Sequence, residues 1–271
     1  MGSPAAIFFD VDFTLIQPGP RFQGSGYQDT CARHGIEVDP DRFDDAVAAA
    51  APFLESDDGS YDHGVFENYT QRIIELMCGP GTGRGAAAVE APERSGIALA
   101  ARELIQEWAE HRHFTLYPEV PDTLRALQAM GVRLGLISNT HRCLTSFESH
   151  FALDGLISAA VSSSEHGFMK PHPSIFRAAL DRMGVLPEDA MMVGDSLVHD
   201  IRGAEAVGMR GILLARGAVA VEVANVPVIR SLAELPAMVA GTPGSRSARA
   251  GAPDARYPGG QPSFRPPSTC R

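Results

Sequence analysis

Two carboxylates, Asp10 and Asp12, follow directly after a short, continuously apolar run at residues 5–9. That run is rich in β-forming residues, which is typical of a strand buried on both faces of a parallel sheet. Ligands bind at the carboxyl ends of such strands. Two acids placed together there repel each other, which favours a divalent cation and separates their pKa values. An isolated Asp-x-Asp would more simply be a strand end and a turn, so further motifs decide the interpretation.

Lys170 is the second chemical signal, because it is the only lysine among 23 basic residues. Lysine is a compact point charge that fits between a phosphate and a carboxylate, whereas arginine presents a planar fork. Pro171 and Pro173 stiffen its surroundings, and residues 174–180 have the spacing of an amphipathic helix. A lone lysine on the surface is the simpler alternative, but these neighbours favour a built site.

A third acidic site lies at the end of the strand-like run at residues 190–193. Gly194 lets the backbone approach a ligand closely, and Asp195 offers the oxygen that a hard cation prefers. Asp200 begins a predicted helix at residues 201–207, from where it can hydrogen-bond the loop.

The apolar run at residues 132–137 ends in Ser138 and Asn139. A hydroxyl, an amide and backbone N–H groups at a strand end are suited to hold a phosphate group. The chain thus has four predicted strand ends that carry groups for phosphate chemistry.

In their order, Asp-x-Asp, Ser, Lys and Asp, these strand ends resemble the haloacid dehalogenase (HAD) superfamily of phosphohydrolases over residues 5–16 and 116–230. The stretches 170–173 and 194–209 resemble the family most closely. The resemblance implies a Mg²⁺-dependent phosphatase acting on a small phosphorylated metabolite. The implied roles are Asp10 as nucleophile, Asp12 as general acid/base, Lys170, Ser138, Asn139 and Thr14 as phosphate-binding groups, Asp10, Asp12 and Asp195 as Mg²⁺ ligands, and Gly194, Ser196 and Asp200 as supporting residues.

The chemistry explains this choice of residue types. A phosphate monoester is a dianion that repels attack, so Mg²⁺ and a lysine must neutralise its charge. A carboxylate nucleophile forms an aspartyl-phosphate and so divides one difficult displacement into two easier ones. A second carboxyl protonates the leaving alcohol and then takes a proton from the attacking water.

Two features separate the branches of the family, and a third concerns the size of the substrate. The dehalogenase branch lacks an acid at the position of Asp12, so phosphate chemistry is favoured over carbon–halogen cleavage. The phosphonate-cleaving branch needs a second lysine, and the chain has none. Phe13 stands where the family usually has a small or polar residue, so we expect its ring to affect substrate size and not mechanism.

The elements that must position these residues alternate between strand and helix from residue 116 to residue 228. Helices are predicted at 121–130 and 174–183, and strands at 133–137, 159–162, 191–193, 211–214 and 226–229. This alternation predicts an α/β fold with a doubly wound, Rossmann-like parallel sheet.

Helical spacing also appears between the first motif and residue 116, at residues 27–34, 40–50, 65–77 and 97–113. By the resemblance this is a helical cap domain, which closes over the site and excludes water. The predicted division is a catalytic core at 1–16 and 116–240, a cap at 17–115 and a disordered tail at 241–271. The tail has six prolines, five glycines, five arginines and one acid.

Composition limits the classes of partner. A formal net charge of −10 argues against broad binding to nucleic acid or to an anionic membrane. The scattered cysteines Cys31, Cys78, Cys143 and Cys270 have no ligand-like spacing and predict free thiols in a cytoplasmic protein. A phosphotransferase or mutase of the same fold and a non-catalytic binding module stay open as alternatives, and the oligomeric state is not predicted.

Overall fold

The computed structural model describes residues 3–54, 59–78, 91–217 and 223–241, with the backbone alone at 91–94. The strands are β1 (Ala6–Phe9), β2 (Ile16–Pro18), β3 (Phe114–Leu116), β4 (Arg133–Ser138), β5 (Ile157–Ser162), β6 (Ala190–Gly194), β7 (Arg210–Leu214) and β8 (Val228–Ile229). Six of them form a central parallel sheet with the order β5-β4-β1-β6-β7-β8, and β2 and β3 form a separate antiparallel pair. This confirms the predicted doubly wound sheet.

The burial of β1 explains its uninterrupted apolar sequence. Ile7 and Phe9 pack into one hydrophobic cluster, while Ala6 and Phe8 pack into a second cluster on the other face of the sheet. All four are fully buried. Since both faces are covered, no position of this strand favours a polar residue.

Helices cover the sheet and form a second group between β2 and β3. The four helices of that group pack against one another. They are α1 (Gly24–Arg33), α2 (Phe43–Ala50), α3 (His63–Met77) and α4 (Ala91–Trp108), and the later ones are α5 (Val120–Ala129), α6 (Leu144–His150), α7 (Ser163–His166), α8 (Pro173–Met183), α9 (Gly203–Glu205) and α10 (Leu235–Ala240).

Several boundaries differ from those that the sequence pattern predicts. The predicted helix at 97–113 begins earlier, at Ala91, and ends at Trp108, because the chain then turns into β3. The predicted helix at 201–207 is instead a π-helical segment, Leu197–Arg202, followed by α9. The pairing of β2 with β3 was not predicted, since strands of three residues carry little periodic signal. The tail at 242–271 lies outside the described residues.

Cys31 is a buried free thiol, as predicted for this residue. Among the described residues, no helix is both long and apolar enough to cross a membrane. The division into core, cap and tail stays a prediction.

Candidate active site

The centre of the site is a buried lysine held between two carboxylates. Nζ of Lys170 donates to Oδ1 of Asp10 and to Oδ1 of Asp200, each at 2.6 Å. Lys170 is 3% exposed and Asp200 is 1% exposed. Asp10 directly follows β1, Lys170 lies three residues before the start of α8, and Asp200 lies in the π-helical segment after β6. Three separate connections between strands of the sheet therefore supply the cluster.

Burial and mutual repulsion shift the pKa values of this cluster. Burial raises the pKa of Asp10 well above its ordinary value, Lys170 opposes that shift, and the charges of Asp200 and Asp195 add to it. Burial opposes the charge of Lys170, yet Asp10 and Asp200 together raise its pKa above the ordinary value. Asp195 is exposed at the surface of the cluster, but protein surrounds much of its carboxyl group and raises its pKa to about 7. Ionising all three carboxyl groups is therefore unfavourable here even with Lys170 beside them, and an added cation would favour their ionised forms.

A divalent cation fits this imbalance. Carboxylate oxygens of Asp10, Asp195 and Asp200 lie within 4.8 Å of one another. When all three carboxyl groups are ionised, their charge exceeds that of the Lys170 ammonium by two. Mg²⁺ prefers a set of ligands made up of oxygen atoms, which these carboxylates provide. Asp200, to which the sequence pattern assigned only a supporting role, thus offers an oxygen to the same place.

The side chain of Asp12 points elsewhere, to Arg142. Nη2 of Arg142 donates to Oδ1 of Asp12, and its Nε donates to the Trp108 carbonyl at 2.9 Å. The guanidinium is buried and lies 4.3 Å from the centre of the Phe114 ring. Asp12 therefore forms an ion pair with Arg142, and its carboxyl group does not belong to the carboxylate group of Asp10, Asp195 and Asp200. Sequence analysis missed Arg142, although it lies four residues beyond Ser138 in the same loop.

Two buried hydroxyl groups near Asp10 have no hydrogen-bond partner. Oγ of Ser138, at the end of β4, and Oγ1 of Thr14 are both buried and unpaired. A buried hydroxyl without a partner costs free energy unless a ligand or water completes it. Both positions were predicted to bind phosphate, and their unpaired state is consistent with that role.

Asn139 contacts the backbone of Lys170. Its Nδ2 donates to the Lys170 carbonyl at 2.9 Å, and its Oδ1 accepts from the Lys170 N–H at 2.6 Å. This pair of hydrogen bonds fixes the backbone from which the lysine side chain extends. Asn139 was predicted as a substrate-binding residue, and its side chain here positions Lys170.

The loop after β6 holds Asp200 in place. The Ser196 N–H donates to Oδ2 of Asp200 at 3.0 Å, and Oγ of Ser196 accepts from the His199 N–H as the cap of the π-helical segment. Gly194 lies directly against this carboxylate, so that a Cβ atom there would collide with Oδ2 and Cγ of Asp200. Only glycine lets the loop close on Asp200.

We therefore expect Gly194→Ala to displace Asp200 and to lower the free energy of unfolding by about 1–3 kcal/mol, the usual effect of overpacking. Chemical denaturation followed by circular dichroism measures the change. Gly217→Ala is the matched control, because a Cβ atom at Gly217 meets nothing within 4 Å. Equal stability of the two variants would contradict the packing argument.

A cavity of about 410 Å³ opens beside Asp12 and Asn139. Its remaining walls come from the segment that follows β2, from α1 to α4, and from Phe13 and His141, which lie in the loops after β1 and β4. Phe13 has a left-handed backbone (φ 60°), and its ring lies 6.4 Å from that of Trp108. The ring of Phe13 is thus part of the cavity wall.

The protein has a doubly wound α/β fold, and its charged residues lie at the carboxyl ends of the strands. This is the position at which α/β enzymes usually have their active site. The family model described as "haloacid dehalogenase-like hydrolase" matches residues 4–208. The chain belongs to the haloacid dehalogenase-like hydrolase family, as the sequence resemblance implied.

Curated relatives span most of the chain. A phosphoserine phosphatase of Thermus thermophilus is 31% identical over 227 residues, which cover 78% of this chain and 88% of that protein. A glyceraldehyde 3-phosphate phosphatase of Pyrococcus furiosus is 29% identical over 213 residues, covering 76% and 78%.

Solved structures share the fold. A HAD phosphatase from Thermococcus onnurineus has a TM-score of 0.59 at 23% identity and covers 89% of this chain and 99% of its own. A 2-haloacid dehalogenase from Pseudomonas syringae has a TM-score of 0.56 at 22% identity, with coverages of 88% and 98%. The fold alone therefore does not separate phosphatases from dehalogenases.

Proposed function

We propose that this protein is a Mg²⁺-dependent phosphatase that hydrolyses a small phosphorylated metabolite through an aspartyl-phosphate. The observation that carries the proposal is the placement of Lys170 Nζ 2.6 Å from Asp10 within a group of three carboxylates. A charge-neutralised carboxylate at a strand end is the nucleophile that a dianionic ester requires. The phosphatases among the relatives support the same reaction class.

In the first step, an oxygen of Asp10 attacks phosphorus and the bond from phosphorus to the ester oxygen breaks. Lys170 neutralises charge on the phosphoryl oxygens, and the unpaired hydroxyl groups of Ser138 and Thr14 donate to them. Asp12 gives its proton to the departing alkoxide, so that a neutral alcohol leaves.

In the second step, water attacks the phosphorus of the aspartyl-phosphate and the bond from phosphorus to Asp10 breaks. Asp12 accepts the proton of the water, which regenerates the free carboxylate of Asp10 and releases inorganic phosphate. After the first step Asp12 is a carboxylate, and Arg142 pairs with it until the attacking water gives up its proton.

Asp10, Asp195 and Asp200 would hold Mg²⁺, and the backbone carbonyl of Asp12 is proposed as a further ligand. When bound, the cation supplies positive charge to the phosphoryl oxygens. We also propose that residues 17–115 form a cap over the site, because α1 to α4 pack together and contribute the far walls of the cavity. A cytoplasmic location stays a prediction.

Hydrolysis of acetyl phosphate and p-nitrophenyl phosphate, with and without Mg²⁺, tests the proposal. Asp10→Asn is the control, since it keeps the shape of the side chain and removes the nucleophile. Metal-dependent turnover that disappears in Asp10→Asn supports the phosphatase. Turnover that is equal in the two proteins, or absent with both compounds at saturating Mg²⁺, would contradict it.

Replacing Asp12 tests the acid/base assignment. We expect Asp12→Asn to lower kcat/KM for p-nitrophenyl phosphate less than kcat/KM for an alkyl phosphate, because nitrophenolate leaves without a proton. The later hydrolysis step, in which Asp12 acts as a base for both substrates, does not enter kcat/KM. For the alkyl ester the loss is about 10²–10⁴-fold, the usual contribution of a general acid. Steady-state kinetics with both esters measure this difference, and an equal loss for the two would remove the assignment.

The pKa of Asp195 predicts how cation binding depends on pH. Protons compete with the cation below the pKa of about 7, so the carboxylate is mostly ionised at pH 8 and mostly protonated at pH 6. We expect the dissociation constant for Mg²⁺ to rise at least about tenfold between pH 8 and pH 6, because the pKa of Asp10, a second proposed ligand, is raised as well. Isothermal titration calorimetry on the wild-type protein measures it, and a constant value over this range would contradict the prediction.

A further inference from the structure

The cavity beside Asp12 is placed to receive the alcohol part of the substrate. Its lining includes Asp12, the proposed donor of a proton to the leaving oxygen, and Asn139, which fixes Lys170. An ester oxygen within reach of Asp12 therefore directs its substituent into this cavity. A volume of about 410 Å³ lies within the range of about 300–1,000 Å³ that small-molecule sites usually span.

The walls of this cavity are strongly aromatic. Seven of its nineteen lining residues are Phe, Tyr or Trp, against 7% of the whole chain. Phe13 belongs to the loop after β1, Phe22 and Trp108 have their ring centres 4.6 Å apart, and Phe66 lies on α3. Aliphatic residues such as Val47 and Ile73 also line the cavity. Such walls stabilise an apolar group by removing it from water.

The charges around the cavity disfavour an anionic substituent. No lysine or arginine occurs among its lining residues in the described part of the chain, whereas Asp12 and Asp44 do. Arg21 is in ion pairs with Glu103, at 3.2 Å, and with Glu107. Arg142 is buried and paired with Asp12. A carboxylate or a second phosphate on the leaving group would therefore lose water without gaining a cation.

We propose that the substrate is the phosphate monoester of an alcohol that carries no anionic group and has an apolar, aromatic-sized substituent. This inference rests on the proposed function and specifies its substrate class. It separates this protein from relatives named for phosphoserine, glyceraldehyde 3-phosphate or ribulose-1,5-bisphosphate, whose esters carry charged or hydroxylated substituents.

A binding measurement tests the inference independently of catalysis. Trp108 is the only tryptophan of the chain and lines the cavity, so its fluorescence reports on occupancy. The Asp10→Asn protein is titrated in Mg²⁺ with 2-phenylethyl phosphate, glycerol 3-phosphate and O-phosphoserine. We expect the phenylethyl ester to bind at least about 30-fold more tightly than the other two, from the burial of its ring. Equal or weaker binding of the phenylethyl ester overturns the inference.

Hydrolysis of the same esters by the wild-type protein separates the two proposals. All three esters release primary alcohols, so a difference in kcat/KM reports on the cavity and not on intrinsic reactivity. Turnover without preference for the phenylethyl ester overturns the substrate class and leaves the phosphatase standing. Preferential binding without any turnover overturns the phosphatase and supports the cavity as an apolar ligand site.

Two variants of cavity-lining residues, with one control variant outside the cavity, test which residues produce the preference for the phenylethyl ester. Phe66→Ala should lower the ratio of kcat/KM for the phenylethyl ester over glycerol 3-phosphate by about tenfold, whereas Leu99→Ala, an exposed apolar residue of α4 outside the lining, should leave it unchanged. Val47→Arg adds a cation and should raise the relative kcat/KM for O-phosphoserine at least tenfold. Unchanged ratios in both cavity variants would overturn the assignment of the cavity.

Discussion

Asp10→Asn is expected to lower turnover by at least about 10⁴-fold while leaving the protein as stable as the wild type or more so. The loss of activity follows because an amide oxygen cannot form the aspartyl-phosphate, and removal of a nucleophile has effects of this size or larger in other enzymes. Steady-state kinetics with p-nitrophenyl phosphate at saturating Mg²⁺ measure the loss.

The expected stability follows from the sign of the pKa shift. Burial raises the pKa of Asp10 in the folded protein, so the folded state favours the neutral carboxyl group. The stability that this group contributes is present at low pH and is lost as the pH rises from its ordinary pKa through the raised one. An uncharged asparagine avoids that loss at neutral pH, and Lys170 keeps Asp200 as a partner.

Thermal unfolding in the absence of added metal checks this part of the prediction. A melting temperature below that of the wild type would show that the ion pair between Asp10 and Lys170 outweighs the cost of burying the carboxylate. Retention of turnover within tenfold would exclude Asp10 as the nucleophile.

Lys170→Arg is expected to lower turnover by about 10³-fold although it keeps the positive charge. One nitrogen atom of Lys170 lies 2.6 Å from both Asp10 and Asp200, in a place where the side chain is 2% exposed. A planar guanidinium is larger and directs its N–H groups in a fixed fork, so it cannot occupy the same point between two carboxylates. Loss of a preorganised donor to a transition state usually costs about 10²–10³-fold, and the displaced carboxylates add to it.

Lys170→Met separates geometry from charge. It leaves two buried carboxylates without their ammonium partner, a change that usually costs about 3–5 kcal/mol of stability. We therefore expect similar turnover in the two variants but a lower free energy of unfolding in Lys170→Met. Near-normal kcat in Lys170→Arg would show that charge alone is sufficient.

Strand ends explain how much of the site the sequence could predict. An apolar run followed by a polar residue identifies both the strand and the edge at which it stops, and Asp10, Ser138 and Asp195 were found in this way. The parallel sheet then brings those ends together, which is why residues 185 positions apart, Asp10 and Asp195, belong to one carboxylate group. Lys170 was found because it is the only lysine of the chain.

Residues that reach the site from within helices and loops carry no such signal. Asp200 enters the carboxylate group because the chain folds back through a π-helical segment, which has no recognisable pattern in the sequence. Arg142 pairs with Asp12 through side-chain directions that spacing does not fix. The aromatic residues of the cavity are distributed over residues 13 to 108, and helical periodicity does not tell a face that packs in a core from one that lines a cavity.

The position of β1 has a consequence for biosynthesis. Ala6 of this strand pairs with Arg133 on one side and with Ala190 on the other, so both neighbours are made long after β1 itself. A ribosome at residue 120 has released a fully apolar strand that has no partner to cover it. Such long-range pairing slows folding and leaves nascent chains prone to aggregation. The topology of the sheet therefore leaves this apolar strand uncovered on the nascent chain until the later strands have been synthesised.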